Sequence, residues 1–584
     1  MRRDSIVVLK FGSSVLRNED DLWPVVHEIY RWVREGKYVV AIVSAFAGET
    51  DRLLAQAEHY GCCSNSDALA RLVATGEQTS AALLGLALDR AGIPASVLDA
   101  AQIGFIAHGP TVDAEPRTIH PQRILRALQG GAVAVIPGFV AQKEDGSTAL
   151  LGRGGSDLSA LFIAERLGAH CCLIKDVDGL YDCDPAVAGA DAHRFSALTW
   201  ERTLSLGGGV VQPKAIEFAR RHGQSFEVRA IGSHGATIIG PGPSELDLAP
   251  YIECSTRLNI GLLGLGTCGL GVYRQLAAYP DLFNVVGIGV RDPQRHTNDA
   301  PAHLLTTDCW SVIEKADIVV ELIGGRSPAT ELISEALAAG KHVVTANKLL
   351  LATSGPELTR LAAEQRAHLL CSAATGAALP VLERLRQIAC ECEIKEVTAV
   401  LNGTTNFILD RLSQGQSFDE SLRQAQAEGF AEADPTEDLN GTDAACKLVL
   451  LAHAAFNTDI ALELVEREGI EHVDPSETRV LCAAGKKLRL VASLRRCNGQ
   501  IVARVAREIL DCDHPLASTR DEQNCVLIRT RHGTSILRGR GAGRWPTTVS
   551  VMADLFTLVR DLRRQPELLA AAVLEADQEV PCEI

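Results

Sequence analysis

Asn259 to Leu276 read NIGLLGLGTCGLGVYRQL, and this stretch decides the fold of the second half of the chain. An apolar run comes first, then glycines at 264, 266 and 269, then a helical pattern. Gly264 permits the tight turn after a strand. Gly266 lets backbone approach a pyrophosphate, and Gly269 lets helix and strand pack closely, so the helix N-terminus faces the anion. A lone GxGxxG is a weak signal; the strand before it and the helix after it make it a strong one. The next apolar run, Phe283 to Val290, ends at Arg291-Asp292. An acid there favours a free ribose 2′-hydroxyl and an arginine a 2′-phosphate. Because Arg291 comes first, the reading leans to NADP, with NAD as the alternative.

Working outward, a second βαβ series runs from Leu258 to about residue 390. Glu396 to Asn402 starts another strand, and helical patterns cover Phe407 to Gly429, Thr442 to Ala455 and Val549 to Leu574. Upstream, residues 5 to 240 alternate β-branched runs with helical patterns. SIVVLKF, YVVAIVSA, GAVAVIPGFV, HCCLIKDVDG and ATIIG read as strands; Leu22 to Glu35, Asp67 to Ala91 and Ser156 to Leu167 read as helices. Such alternation implies an α/β fold with a largely parallel sheet. Gly240 to Pro250 is punctuated by glycine and proline and reads as a linker.

The chain has 584 residues, too long for one core. Its formal net charge of −16 opposes nucleic-acid binding, which needs a basic face. Cys62-Cys63, Cys171-Cys172 and Cys390-x-Cys392 are too tightly spaced for a zinc clamp, so the 17 cysteines read as reduced core thiols of a cytoplasmic protein. The first strand follows directly on MRRD, and no run is long enough to span a membrane.

Two sets of residues carry chemistry. Lys10 ends an apolar strand and is followed by Gly12, Ser13 and Ser14; Gly152 to Asp157 (GRGGSD) precede a helix. Both patterns suit phosphate, through a cation and through backbone amides. Asp443 and Lys447 stand four apart, sharing one helix face. They read either as a surface ion pair or, given the apolar run Leu448 to Leu451, as a buried lysine of tuned basicity serving as proton donor.

From Asn259 to Leu555 the chain resembles homoserine dehydrogenase. The landmarks are GLGTCG, VVELIGG (319–325), VVTANK (343–348), LNGTTNFIL (401–409), GFAEADPTEDLNGTDAACKL (429–448) and RGRGAGRWPTTVSVMADL (538–555). The resemblance implies a Rossmann domain over 258–390, an α+β catalytic and dimerisation domain over 391–545, and a terminal helical segment, 546–584, returning to the nucleotide-binding domain. It implies NAD(P)H-dependent reduction of L-aspartate 4-semialdehyde to L-homoserine. Lys348 and Lys447 would be the candidate proton donors, with Asp443 positioning Lys447 or a water. Glu432 and Asp438 would hold the substrate ammonium, and Gly403 and Thr404 would line its pocket. Gly264, Gly266, Thr267, Cys268, Gly269, Arg291, Gly324 and Lys348 would contact the cofactor. The family binds a monovalent cation, Na⁺ or K⁺, mostly through backbone carbonyls; Ser372, Thr375, Ala377 and Leu379 occupy that segment here. Ser372 replaces a family acid, and Phe430 a family tyrosine.

Residues 5 to 240 resemble aspartokinase, of the amino-acid kinase αβα fold, which would give a kinase domain over 1–241 and a linker over 242–257. The landmarks are KFGSSV, ATGEQTSAALL (74–84), PGF (137–139), GRGGSD, KDVDGLYDCDP (175–185) and GATIIG. This implies ATP-dependent phosphorylation of L-aspartate, with Mg²⁺ accompanying the nucleotide. Lys10 would stabilise the phosphoryl group in transfer, and Asp157 belongs to the same signature. Thr50, Glu77, Arg153 and Ser156 would grip aspartate. Gly12, Ser13, Asp176, Asp178 and Tyr181 would border the nucleotide. The family's FGAKVLHP reads LGGGVVQP (206–213), so its lysine is Gly209 and its histidine Gln212. Losing such a charge-assisted bond, about 1.5–3 kcal/mol, corresponds to about 10- to 100-fold in rate. Lys214 is a candidate to reach the site instead. Two readings stay open: a working bifunctional enzyme, or a dehydrogenase carrying a degenerate kinase domain. About 18 residues separate GATIIG from the next strand, too few for the ACT modules usual in two-activity members, so ACT-type feedback by threonine or lysine is not expected. A homo-oligomer, dimer or tetramer, is implied.

Overall fold

The structure is a computed structural model that describes residues 5–61, 66–184, 192–207, 209–233, 235–247, 257–497 and 499–564. Cys62-Cys63, the proline ending KDVDGLYDCDP, most of the linker and the tail beyond residue 564 lie outside the described residues. The chain divides into two compact units, Met1–Glu253 and Cys254–Ile584.

In the first unit, Ile6–Phe11 is central to a nine-stranded sheet. On one side follow Tyr38–Val43, Val133–Pro137 and Ala95–Val97; on the other follow His170–Lys175, Phe226–Ala230, Thr237–Gly240, Phe195–Thr199 and Glu245–Leu246. The strands next to Ile6–Phe11 run parallel, and parallel strands covered on both faces need near-continuous apolar sequence. IVVLKF meets that demand: all six residues are buried, Lys10 included. Lys10 pairs in register with Leu173, so Lys175, two residues further along that strand, shares its face. Helix Gly155–Leu167 packs against both strands and brings Asp157 to that face.

GAVAVIPGFV is not one strand. Val133–Pro137 belongs to the large sheet and Val140–Gln142 to a separate four-stranded sheet. Between them Phe139 adopts φ 63°. A Cβ at Gly138 would lie 2.8 Å from the Cβ of Ser156, so glycine lets this corner approach the phosphate-type helix.

In the second unit, six parallel strands run in the order Leu305–Thr306, Phe283–Gly289, Leu258–Leu263, Ile318–Glu321, His342–Thr345, Leu369–Leu370. The strand order reverses at Leu258–Leu263, whose carboxyl end carries the glycine turn, the usual ligand position in such sheets. Helix Arg544–Arg564 packs on helix Thr267–Leu276. A second sheet has the order Glu466–Arg467, Gln500–Asp511, Lys486–Cys497, Ile394–Val400, Gln523–Thr530, Gly533–Arg540, antiparallel apart from its first pair. The pattern read as one helix over 407–429 is two, Gly403–Ser413 and Phe418–Ala427. Gly415, at φ 97°, breaks it, and Ser417 with Glu420 forms a capping box for the second.

Thiols are less uniformly buried than expected. Cys171, Cys172, Cys446 and Cys525 are core residues, whereas Cys183, Cys390, Cys482, Cys497 and Cys512 are exposed. Among the described residues no helix is long and apolar enough to cross a membrane.

Arg489, on the longest hairpin, is 1% exposed. Its guanidinium donates to Asp410 at 2.8 Å and to the carbonyls of Ala517 and Thr519 at 3.1 and 3.0 Å. Removing one partner of a buried pair strands the other. Arg489→Met is therefore expected to cost about 3 kcal/mol. In scanning calorimetry this should lower the transition of the second unit by about 5–10 °C; a shift within 1–2 °C would show that Lys487, 3.1 Å from Asp410, suffices as counter-ion.

Candidate active sites

The first unit holds a cavity of about 930 Å³ at the carboxyl ends of Ile6–Phe11 and His170–Lys175. Lys10, Gly12, Ser13, Thr50, Glu77, Arg153, Ser156, Asp157 and Asp176, all expected from sequence, line it. Lys10 Nζ lies 2.7 Å from Asp157 Oδ1, and both are buried. Gly12 leaves room beside them: a Cβ there would sit 2.7 Å from Lys10 Nζ, so a side chain would displace the ammonium. Gly154, at φ 76°, opens helix Gly155–Leu167, whose first amides turn toward the cavity.

Glu77 is 4% exposed, accepts a backbone bond from Ala45, and has Ser156 Oγ 3.4 Å from Oε1. Burial pushes its carboxyl up to about 8. Asp178 and Tyr181 are not among the cavity's lining residues. The Tyr181 hydroxyl donates to Asp178 at 2.7 Å, and Arg194 bridges Asp178 and Asp247. Lys214 does not supply the missing charge. It donates to Asp113 at 2.6 Å and to the carbonyls of Leu151 and Ala114 at 2.8 and 3.2 Å, while Gly209 and Gln212 line the cavity.

Sequence reading passed over Lys175 as a site residue. Its ammonium donates to Asp157 Oδ2 at 2.9 Å, so one carboxylate sits between two lysines. Burial opposes ionisation of Asp157, yet Lys10 and Lys175 hold it below the usual carboxylate range. The signal in the sequence is a lysine ending an apolar strand, within the KDVDGLYDCDP landmark.

In the second unit the glycine turn is held from several sides. Gly264 has φ 100°, and a Cβ there would lie 2.8 Å from the Leu322 carbonyl. A Cβ at Gly269 would lie 2.1 Å from the Gly264 carbonyl; one at Gly266 would meet no protein atom within 4 Å. These are the constraints expected where backbone meets a pyrophosphate, and the turn fits a dinucleotide. Thr267 is exposed and Cys268 half-buried on the first helical turn. Across the turn, Glu321, fully buried, accepts from the amides of Ile323 and Gly324 at 2.8 and 3.0 Å and from the Thr345 hydroxyl at 2.5 Å. Asn347 donates to the Gly325 carbonyl and caps the helix that Lys348 begins. Glu321, Thr345 and Asn347 thus fix both the Gly324 loop and Lys348. Arg291 is exposed, whereas Asp292 accepts from the Gln294 amide and pairs with Arg295 at 3.3 Å.

Lys348, Asp443 and Lys447 converge. Lys348 pairs with Asp443 Oδ1; Lys447 donates to Asp443 Oδ2 at 2.9 Å and to the Leu401 carbonyl at 2.7 Å. Lys447 is therefore not a surface lysine. Asn402 donates to Asp443 at 2.8 Å and to Asp438 at 2.6 Å, and Thr404 reaches Asp438 at 2.9 Å. Burial opposes the Asp443 carboxylate, but Lys447 and Lys348 hold it well below its usual range. Burial draws Lys447 down despite Asp443, with Lys348 adding to the effect. Lys348, about a third of whose side chain is exposed, is weakened as an ion by burial but raised overall by Asp443. Gly403 lets segment 521–522 approach: a Cβ would sit 3.0 Å from Glu522 Cα. Glu432 is exposed, and its carbonyl accepts from Gln426. Phe430 stacks on Phe407 at 4.6 Å between ring centroids.

The chain matches the homoserine dehydrogenase family model over residues 380–556 and that family's NAD-binding domain over residues 264–372. It is 38% identical to the homoserine dehydrogenase of Synechocystis over 318 residues, covering 52% of this chain and 73% of the relative. It is 34% identical to that of Bacillus subtilis over 319 residues, covering 52% and 74%. This chain belongs to the homoserine dehydrogenase family. A solved homoserine dehydrogenase from Thiobacillus denitrificans aligns at 35% identity with a TM-score of 0.51, over 53% of this chain and 75% of that one. Residues 5–229 match the amino acid kinase family. Unlike a dehydrogenase alone, the chain is thus a bifunctional enzyme with kinase and dehydrogenase domains, and its dehydrogenase half takes a nicotinamide cofactor.

Glu77 gives a test with a defined sign. A carboxyl raised to about 8 weakens the folded state as pH climbs from about 4.5 to 8, because the unfolded chain ionises first. Glu77→Gln lacks that penalty while keeping an oxygen for the Ala45 amide. Its melting temperature relative to wild type should rise between pH 5 and pH 8; a difference that stays flat across this range would mean Glu77 is already ionised.

Proposed function

We propose that the dehydrogenase half reduces L-aspartate 4-semialdehyde to L-homoserine with Lys447 as the proton donor and NADP as the preferred cofactor. The observation that carries this is the Lys348–Asp443–Lys447 cluster, in which Asp443 and Lys447 are buried and Lys348 is partly exposed. The nicotinamide supplies a hydride to the aldehyde carbon. A proton must reach the oxygen as it becomes an alkoxide. Of the two ammonium groups Lys447 is the stronger acid, since burial lowers it, and the Leu401 carbonyl and Asp443 fix its direction. Lys348 stays charged beside Asp443 and stabilises the developing oxyanion. Asp438, oriented by Asn402 and Thr404, holds the substrate ammonium, with the exposed Glu432 as the second candidate carboxylate. Arg291, exposed at the strand end while Asp292 is engaged by its own turn, supports NADP over NAD.

The kinase half would transfer the γ-phosphoryl group of Mg²⁺-ATP to the side-chain carboxylate of L-aspartate, giving 4-phospho-L-aspartate. Glu77 suits the substrate ammonium: an arriving cation removes the burial penalty on its carboxylate. Arg153 reaches a carboxylate from the cavity rim, with Ser156 and Thr50 beside it. A monovalent cation near Ser372 to Leu379 is supported by carboxylates there. The Ser372 hydroxyl contacts Glu383 at 2.5 Å and Asp554 at 2.7 Å, and Ala377 has φ 46°. A homo-oligomer formed through the dehydrogenase half and a cytoplasmic location complete the reading.

Asp443→Asn should lower the reductive kcat by about 10²- to 10³-fold, the usual worth of an acid catalyst and its orienting partner. Without the carboxylate Lys447 loses its proton more easily, so the alkaline fall in rate should move to lower pH. A variant within tenfold of wild type, with an unmoved pH profile, would remove this cluster from the chemistry. For the other half, aspartate- and ATP-dependent acyl phosphate trapped as the hydroxamate should appear with the wild-type protein and vanish in Lys10→Ala. No signal beside robust semialdehyde reduction would leave the kinase domain a structural one.

A further inference from the structure

Phosphoryl transfer is catalysed almost wholly by placing positive charge around the moving group. Such a site needs charge beyond one lysine, and here the position expected to supply it holds Gly209, which lines the cavity without a side chain. The neighbouring candidate, Lys214, is bound to Asp113 and two carbonyls. Another lysine is already in place.

Lys175 ends the strand next to Ile6–Phe11, on the same face as Lys10, and lines the same cavity. Its side chain is 11% exposed, and that of Lys10 is 7% exposed. Lys10 lies 2.7 Å from Asp157 Oδ1, and Lys175 lies 2.9 Å from Oδ2 and 3.3 Å from Oδ1. The carboxylate therefore forks the two ammonium groups and neutralises only one of them. A buried lysine kept for packing alone would be an expensive choice, since an apolar residue at a strand end avoids the desolvation cost. At the cavity wall, the uncompensated positive charge has somewhere to act.

We propose that Lys175 is a catalytic cation of the kinase half, contacting the transferring phosphoryl group together with Lys10 and supplying the charge absent at Gly209, while Asp157 positions both lysines. This rests on the kinase reading above. In the transfer, an oxygen of the aspartate side-chain carboxylate forms a bond to the γ-phosphorus. The bond from that phosphorus to the bridging oxygen breaks, and the electron pair leaves on ADP. No proton has to move, so Lys10 and Lys175 act as fixed charge on the three peripheral oxygens.

The charged groups facing Lys175 are Asp157 from the helix, Lys10 from the adjacent strand and Asp176 next in its own chain; Glu77 faces Lys10. Burial and Lys10 draw the Lys175 ammonium down to about 8 against the pull of Asp157. Its charge is present below that pH and lost above it. The value of kcat/KM for ATP, which reports groups of the free enzyme, should therefore fall above about pH 8.

The experiment compares wild type, Lys175→Met and Lys175→Arg in the full-length protein. It uses the hydroxamate assay from pH 6.5 to 9.5, ADP-induced thermal shift as the measure of nucleotide binding, and semialdehyde reduction as a check on the preparation. We expect Lys175→Met to lose about 100-fold or more in kinase kcat, with ADP still stabilising it and reductase activity unchanged. Lys175→Arg should keep a measurable fraction of the rate and lose the alkaline fall. Kinase kcat within threefold of wild type in Lys175→Met overturns the proposal and leaves Lys175 a buried counter-ion. Should Lys175→Met show no ADP shift at all, Lys175→Arg decides: an unchanged alkaline limb overturns the proposal, and its disappearance supports it. Absence of acyl phosphate from wild type overturns the kinase reading and the proposal with it, and is recognised because it precedes any substitution.

Discussion

An ammonium group taken out of water loses several kcal/mol of hydration unless a counter-charge and hydrogen bonds replace it. Both halves of this chain meet that demand the same way, with one buried aspartate set between two lysines. Asp157 stands between Lys10 and Lys175, and Asp443 between Lys348 and Lys447. Taken by itself, each trio has two ammonium groups to one carboxylate. Both proposed reactions develop negative charge on oxygen, at an aldehyde in one case and on a phosphoryl group in the other. The surplus cation is therefore useful only when the reacting group arrives.

The trios differ where their chemistry differs. In the dehydrogenase cluster the two lysines are pushed apart in acidity, Lys348 up and Lys447 down, because they share Asp443 unequally and lie at different depths. A pair of titratable groups driven apart in this way is the arrangement expected where one gives a proton and the other holds charge. In the kinase trio no proton need move. There, as at Asp443, the lysines are held by opposite oxygens of one carboxylate, and what that geometry supplies is fixed spacing of charge.

How much of this was readable depends on how local each constraint is. The glycine turn at 264–269 was legible because its three requirements fall within six residues. Asp443 and Lys447 were legible as a pair because a helix sets them on one face, but burial chose between ion pair and acid. Lys175 was not legible as a partner of Asp157, since a helix and a turn lie between them and the sheet register, not the sequence, puts it beside Lys10. The strands beyond Lys486 were missed for another reason. Their alternation is interrupted by charged residues such as Arg489, which looks solvent-facing in sequence and is instead the buried counter-ion of Asp410. Asp178 and Tyr181 looked like nucleotide contacts, yet Arg194, arriving from beyond residues 185–191, gathers Asp178 with Asp247.

The cofactor turn also depends on residues far along the chain. Gly264 must clear the Leu322 carbonyl, and Gly271, one helical turn further, must clear Thr548: a Cβ there would lie 2.3 Å from its Oγ1. Glu321 then ties the Leu322 loop to Thr345, and Thr345 to the Asn347 cap below Lys348. Thr548 sits on the helix that also carries Asp554, the carboxylate that takes the Ser372 amide and hydroxyl. One continuous set of close contacts thus runs from the glycine turn through the C-terminal helix to the SAATGAALP segment, and a second from the same turn to Lys348. Each contact leaves room for one shape only, whether by an absent Cβ or by a buried carboxylate with every donor placed. The glycine turn and Lys348 are therefore positioned by the same packing. In the proposed reaction the turn would hold the hydride source and Lys348 would face the developing oxyanion, so the machinery is spread over almost 300 residues rather than gathered in one motif.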